Sequence, residues 1–244
     1  MILTVLVGNS NTRFAVFEGR RLVRVWIIPT GRLTAHLSKL KISPRIESAV
    51  LASVVPKQTL SLFRILNQQV PTLLVNARTR VPLKLQYDRR LLGVDRLSAA
   101  IGAYVRFQQN LTVIDFGTAI TFNLVNKPGV FLGGPIVPGP EMLFAALAAG
   151  TGRLPRVNWS VRSRTISTRT TPAIQSGVFH LLIGGLSRIQ TLLIAEAGDE
   201  KRLVIGTGGA VSLFQRYLDI MVVDKNLASR GLAEIYYFNR RQDE

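Results

Sequence analysis

The 244-residue chain has no cysteine, two histidines, and only 14 acidic residues against 31 basic ones. Without cysteine there is no disulfide framework and no thiolate chemistry, a composition that fits a reducing cytoplasm, the compartment expected for this chain. His36 and His180 lack metal-ligand spacing and read as structural. A G-x-x-x-x-G-K-[ST] loop is missing, so the chain is not a P-loop enzyme. A nucleophile elbow for Ser/His/Asp hydrolysis is missing too. "GTGGA", residues 206–210, fails the dinucleotide fingerprint because Val211 stands where its last glycine belongs. Long hydrophobic runs are scarce. Residues 1–7 are too short for a signal h-region before Arg13, Arg20, Arg21 and Arg24, and the apolar run 140–150 contains Glu141 and is too short to span a bilayer. A soluble protein with no membrane partner is expected.

The formal net charge of +17 is the largest departure from average composition. From Met142 to Ala195 there is no acid, while Arg153, Arg156, Arg162, Arg164, Arg169 and Arg188 fall there. No nucleic-acid motif is visible and the aromatics do not interleave with these arginines, so the charge points to anionic small-molecule substrates ahead of nucleic acid.

Apolar patterning predicts strands at 3–7, 13–17 and 22–28, with a hairpin turn at Gly19 and Arg20, a helix at 33–40, a strand at 49–54, a helix at 58–69 with Leu60, Phe63 and Leu66 inward, a strand at 72–75 and a helix at 95–108. The pattern then starts again. "LTVIDFGTAITFNLV", 111–125, is organised like "LTVLVGNSNTRFAVF", 3–17: strand, glycine turn, strand. Aligning Gly117 with Gly8 sets Thr121 opposite Thr12 and Asp115 opposite Leu6. Two halves built on one plan are expected, 1–110 and 111–244. Helices at 141–149 and 173–195, the strand "RLVIGT", a helix after "GTGGA" and a last helix at 227–238 complete the forecast; "LGGPIVPGP", 132–140, reads as a turn-rich loop, interface or hinge.

With acids so scarce, carboxylate chemistry in the middle of the chain must draw on Asp88, Asp95, Asp115 and Glu141. Asp115 ends an apolar strand before a glycine turn, where a charge is costly unless it is paired, hydrogen-bonded or bound to a cation. It reads either as the acid of a phosphate or cation site, with Thr118 and Thr121 nearby, or as the cap of its own turn. Asp95 follows Gly93 in "LLGVDRLSAA" and reads as a helix N-cap, or as a general base beside Arg96. The turn Gly8, Asn9, Ser10, Asn11, Thr12 offers backbone N–H groups and hydroxyls to an anion but contains no carboxylate. The glycines of "GTGGA" allow close backbone approach to a ligand.

Eight pieces in order, "VGNSNT", "ASVVP", "GVDR", "DFGTAIT", "GGPIVPG", "TGRLP", "TPAIQSG" and "TGGA", together resemble the type III pantothenate kinases of the acetate and sugar kinase/Hsp70/actin superfamily. The resemblance spans nearly the whole chain; "DFGTAIT" with "GVDR" upstream is its specific part. It implies an α/β fold of two ribonuclease-H-like (actin-like ATPase) halves, mixed sheets flanked by helices, closing on ATP. Asp95 would be the catalytic base on the pantothenate hydroxyl, with Tyr87, Gly93, Val94, Arg96 and, across a homodimer interface, Thr170 holding that substrate. Leu6, Val7, Gly8, Asn9, Ser10, Asn11, Thr12, Arg13, Gly117, Thr118, Gly208 and Gly209 would line the ATP site. Asp115 would hold a monovalent cation, K⁺ or NH₄⁺, and Mg²⁺ would accompany ATP. The implied product is 4'-phosphopantothenate, first intermediate of coenzyme A synthesis.

The chain departs from the family pattern in three places. Leu6 replaces the first-loop Asp, the Asn-Pro after Tyr87 is replaced by a loop one residue shorter containing "DRR", and Arg169 replaces the Asn before Thr170. The first departure opens an alternative reading, a weakened or inactive relative that binds nucleotide or pantothenate as a regulator.

Overall fold

The computed structural model describes residues 1–37, 40–161, 164–198 and 201–240. The elements are β1 (Ile2–Val7), β2 (Asn11–Glu18), β3 (Arg21–Pro29), α1 (Leu33–Leu37), β4 (Ser48–Ser53), α2 (Pro56–Asn67), β5 (Thr72–Leu74), β6 (Lys84–Leu85), α3 (Val94–Phe107), β7 (Leu111–Phe116), β8 (Ala119–Val125), β9 (Val130–Gly133), β10 (Ile136–Pro138), α4 (Pro140–Ala149), α5 (Thr170–Ala197), β11 (Leu203–Thr207), α6 (Val211–Phe214), β12 (Val222–Val223) and α7 (Leu227–Arg240). The forecast helix 33–40 is helical over Leu33–Leu37 and Leu40 is not in a helix; positions 38 and 39 lie outside the described residues.

Strand order carries the internal repeat. The first sheet runs β3-β2-β1-β4-β5, and the second runs β12-β11-β7-β8-β9-β6. Read from β9 to β12, the second sheet has the first sheet's order: third, second, first, fourth and fifth strand of a set. In the first set β1, β2 and β3 pair antiparallel, whereas β4 pairs parallel with β1 and with β5. In the second, β8 and β9 are antiparallel and β11 and β12 parallel. The one-residue-for-one comparison of 3–17 with 111–125 is therefore also a comparison of equivalent sheet positions.

The central strands are apolar along their length because helices cover both faces of a parallel pairing. Leu3, Val5, Val7, Phe14, Ala49 and Leu51 are buried in one cluster, and Phe14 stacks on Trp26 with centroids 5.1 Å apart. β3, at the sheet edge, keeps Arg21 and Arg24 in water, as an edge strand exposed to pairing should. The β2–β3 hairpin turns at Gly19 and Arg20 as forecast, with Gly19 at φ +54°.

Several expectations need correction. α2 starts at Pro56, and its inward residues are Leu62 and Leu66; Leu60 is 60% exposed. Leu62 and Leu66, four apart, share one face, and Leu60 lies on the far side of the helix from Leu62. "LGGPIVPGP" is not a plain loop: Ile136–Pro138 pairs antiparallel with β8. The helix after "GTGGA" is only four residues long.

The chain divides into two compact units. Unit 1 is Met1–Leu111, Asn123–Gly133 and Asn226–Glu244; unit 2 is Thr112–Phe122 and Gly134–Lys225. These differ from contiguous halves at 110/111 because residues Asn123–Gly133 and the C-terminal helix both fall in unit 1. There Gly102 of α3 and Gly231 of α7 bring two backbones into contact. A Cβ on Gly231 would overlap the Ser98 carbonyl, and one on Gly102 would overlap that of Leu227. Two glycines in facing helices let the axes approach more closely than ordinary side chains permit.

In unit 2 an aromatic cluster anchors α5 and α6. Phe214 stacks on Phe116 at 4.9 Å and meets Trp159 at 5.2 Å; Trp159 meets Phe179 at 5.7 Å, and Phe179 meets Tyr217 at 5.2 Å. Each such pair adds about 0.5–1.5 kcal/mol beyond area burial. α5 is long and apolar enough to cross a membrane by length and composition, a span the sequence reading did not mark. Its buried stripe, Ile174, Val178, Phe179, Leu182 and Leu186, packs inside unit 2, where Gln175 donates to the Asn158 carbonyl and the Ser176 hydroxyl to that of Arg164.

Candidate active site

The turn between β1 and β2 is built by its own backbone. Gly8 N–H donates to the Asn11 carbonyl at 3.0 Å, and Thr30, outside the motif, braces it from below. The Thr30 hydroxyl donates to the Gly8 carbonyl at 2.8 Å and lies 3.0 Å from the buried Thr12 hydroxyl, while Thr30 N–H donates to the Ser10 carbonyl. Asn9, Ser10 and Asn11 stay exposed at the rim and Val7 is buried. Leu6 is half-buried opposite Arg13, whose Nη1 donates to Asn226 Oδ1 at 2.9 Å.

The second cluster of unit 1 stands at the start of α3. The N-cap is Gly93, not Asp95; Asp95 sits inside the first turn, half-buried, and its Oδ1 accepts the N–H of Arg96 at 2.8 Å. The reason is local: a Cβ on residue 93 would lie 2.6 Å from that same oxygen, so only a glycine leaves the carboxylate room to fold back. Val94 opens the helix beside it. Arg96 is buried, with Nε donating to Asn123 Oδ1 at 2.7 Å and its guanidinium over the rings of Tyr87 at 5.7 Å and Phe131 at 6.0 Å. Burial pushes the Arg96 guanidinium down, opposed by Tyr87 and Asp95. Tyr87 meets Phe131 edge-on at 6.2 Å.

The third cluster, in unit 2, gathers residues nearly a hundred positions apart. Gly208, at φ +91°, lies against the Asp115 carboxylate; a Cβ there would overlap Asp115 Oδ1 and come within 2.6 Å of the Phe116 carbonyl. Ala210 N–H donates to that carbonyl at 3.0 Å, which ties the "GTGGA" turn to the end of β7. Gly117 and Thr118, exposed, make the β7–β8 turn, and Gly139 N–H donates to the Thr118 carbonyl at 3.0 Å. Gly209, next to Gly208, is exposed with open space at its Cβ position. The equivalence of the two turns is inexact: Gly8 bonds three residues ahead, whereas Gly117 bonds the Ala119 carbonyl, two ahead, at 3.2 Å.

Thr170 is the first residue of α5, exposed, beside a hollow of about 760 Å³ lined by residues 164–169 and Pro172. His36 Nδ1 lies 2.9 Å from the Arg32 carbonyl and His180 packs edge-on against Phe179, in keeping with structural roles. Among the described residues no group of three or more His, Asp or Glu could hold a metal ion.

Sequence reasoning missed Thr30, Asn123, Gly139 and Asn226. Only Asn123 left a signal, an amide inside the apolar run "ITFNLV", where a polar group needs a partner.

The model of the type III pantothenate kinase family matches residues 2–191. The type III pantothenate kinase of Paracoccus denitrificans is 31% identical over 98% of either chain. That of Rhodospirillum centenum is 36% identical over 98% of this chain and 99% of its own. Among solved structures, the activator of the 2-hydroxyisocaproyl-CoA dehydratase from Clostridium difficile superposes with a TM-score of 0.54, covering 99% of this chain and 96% of that one at 12% identity. The glucomannokinase from Arthrobacter, with a TM-score of 0.52, covers 97% and 98% at 13% identity. At such low identity these carry the fold alone, which is the two-sheet, helix-flanked architecture of the actin-like ATPases. The chain belongs to the type III pantothenate kinase family.

Proposed function

We propose that this chain transfers the terminal phosphoryl group of ATP to the hydroxyl of pantothenate, giving 4'-phosphopantothenate and so opening coenzyme A synthesis. The family supports the reaction. The observation that carries the assignment of roles is Asp95, a half-exposed carboxylate held in the first turn of α3 beside a buried arginine. Phosphoryl transfer asks for positioning and charge neutralisation more than covalent help. Asp95 accepts the proton of the attacking hydroxyl. Tyr87, Gly93, Val94 and Arg96 hold pantothenate, and the turns at 6–13, Gly117–Thr118 and Gly208–Gly209 receive ATP through N–H groups. The two halves are taken as 1–110 and 111–244 in descent, with the last helix returned to the first.

Asp115 fits a monovalent cation, K⁺ or NH₄⁺. Its carboxylate lies against Gly208, in the place a side chain there would take, beside the Phe116 carbonyl. Mg²⁺ fits as an ion carried by the triphosphate and water with few protein ligands, since Leu6 brings no carboxylate to the first turn. When bound, these ions neutralise phosphate charge. A homodimer places Thr170 of one copy at the pantothenate site of the other; the exposed Leu181 and Leu192 of α5 support a covered face there. A cytoplasmic location is in keeping with a cysteine-free chain and with these substrates.

The test is a coupled assay with pantothenate, ATP, Mg²⁺ and K⁺. The wild type should turn over, and Asp95→Asn should lose about 10²–10⁴-fold in kcat, the worth of a positioned base. Equal turnover by Asp95→Asn would remove the assigned base, and a wild type that binds pantothenate without ATP-dependent product would favour the regulator reading.

A further inference from the structure

Thr30 lies at the foot of the β1–β2 turn, 3% exposed, with its N–H, hydroxyl and carbonyl all engaged. Its N–H donates to the Ser10 carbonyl at 2.9 Å and its hydroxyl to the Gly8 carbonyl at 2.8 Å. Its own carbonyl accepts Gln58 Nε2, from the first turn of α2, at 3.1 Å, and the Leu33 N–H. A hydroxyl carries one proton, and that of Thr30 goes to Gly8, whose carbonyl can only accept. The Thr12 hydroxyl, 3.0 Å away, is therefore the donor of its pair with Thr30. The protons run one way, from Thr12 to Thr30 to Gly8. Thr12 is fully buried, so its hydroxyl serves the turn from within.

These bonds give the turn a polarity. The carbonyl and the N–H of one trans peptide point in opposite directions. Thr30 draws the Gly8 and Ser10 carbonyls to itself, which turns the N–H groups of Asn9 and Asn11 to the opposite side. Asn9, Ser10 and Asn11 are exposed. N–H groups aimed outward from such a turn receive an anion, whereas the flipped peptide presents carbonyl oxygen and repels it. Glycine at position 8 makes that flip easy, because no side chain restricts its backbone. The Thr30 hydroxyl is bonded to the very peptide that would flip. Leu6 raises the demand: with no carboxylate in this turn, reception of phosphate here rests on backbone N–H groups.

We infer that Thr30 is a positioning residue for the nucleotide: its hydroxyl holds the peptide between Gly8 and Asn9 with the N–H outward and so sets the affinity of the first turn for the phosphates of ATP. The inference rests on the ATP site assigned above. Thr30 acts through the turn, twenty residues away in sequence, and is itself held from α2 by Gln58.

The experiment compares wild type with Thr30→Val, Thr30→Ser and Thr30→Cys. Valine keeps the shape and removes the hydroxyl, serine keeps the hydroxyl, and cysteine offers a weaker donor. Calorimetry gives Kd for ATP with Mg²⁺ in the absence of pantothenate, and Kd for pantothenate in the absence of ATP; the coupled assay gives KM for each. If the freed turn holds the outward peptide only about a tenth to a hundredth of the time, the apparent Kd for ATP rises by about 10- to 100-fold in Thr30→Val. KM for ATP should rise with it, while Kd for pantothenate stays at the wild-type value. Thr30→Ser should restore ATP binding, and Thr30→Cys should fall between. Equal Kd for ATP in wild type and Thr30→Val overturns the inference. So does an equal loss for ATP and pantothenate in a variant that still melts cooperatively, and so does Thr30→Ser binding ATP as weakly as Thr30→Val. Should Thr30→Val fail to fold, Thr30→Cys decides by the same comparison. A wild type that binds no ATP overturns the kinase reading and the inference together; a wild type that binds ATP no better than Thr30→Val overturns the inference alone.

Discussion

Gly208 lies directly on the carboxylate of Asp115, its backbone at φ +91° and the space of its absent side chain already filled by Asp115 Oδ1 and the Phe116 carbonyl. Two constraints coincide there, a left-handed conformation and a close approach. Gly208→Ala must break one of them and should destabilise unit 2 by about 1–3 kcal/mol while displacing Asp115. Gly209→Ala, with open space at the same turn, should lose little stability. Thermal denaturation of the pair checks this. Equal melting temperatures would mean the turn is not locked on Asp115.

Asp115→Asn tests the proposed cation site. The amide keeps the shape and removes the charge, so activity should require a higher K⁺ concentration, with Asp95-dependent chemistry intact once K⁺ saturates. A titration of rate against K⁺ reads the shift. An unchanged K⁺ profile would move the monovalent cation elsewhere.

Leu6→Asp brings a carboxylate to the end of β1, opposite Arg13. It should lower the Mg²⁺ concentration needed for half-maximal rate, whereas Leu6→Ala, which removes only packing, should not. Identical Mg²⁺ dependence in Leu6→Asp and wild type would show that the first turn takes no part in the ion's surroundings.

The crossing of α3 and α7 is predicted to tolerate nothing larger than glycine. Gly231→Ala should cost about 1–3 kcal/mol or more by overpacking against the Ser98 carbonyl. Gly184→Ala, mid-way along α5 with no neighbour at its Cβ position, should instead gain up to about 1 kcal/mol of helix propensity. Chemical denaturation midpoints distinguish the two. A neutral Gly231→Ala would imply that the helices can slide apart at no cost.

Much of the architecture was legible in the residues. Strands such as "LTVLV" and "LTVID" are apolar runs bounded by glycine turns, and their repetition points to one plan used twice; the strand order itself belongs to the tertiary structure. The turn at Gly19 and Arg20 needs only local chemistry. The misreadings share a cause. Residue type favours Asp95 as an N-cap, the first of its two readings, yet Gly93 caps the helix and the carboxylate folds onto the N–H of Arg96. Spacing alone sets Leu60 inward with Leu66, whereas the buried row is Leu62 and Leu66 and Leu60 faces solvent.

The sequence by itself determined the elements, their repetition, and a short stock of acids and glycines in family order, because propensity, turn chemistry and hydrophobic period act over a few residues. Only the tertiary structure decided which distant residues meet. Gly208 on Asp115, Asn123 on Arg96, and α7 folded back against α3 all depend on strand order and helix crossing. Such contacts are set by packing between elements far apart in the chain, and no local pattern encodes them.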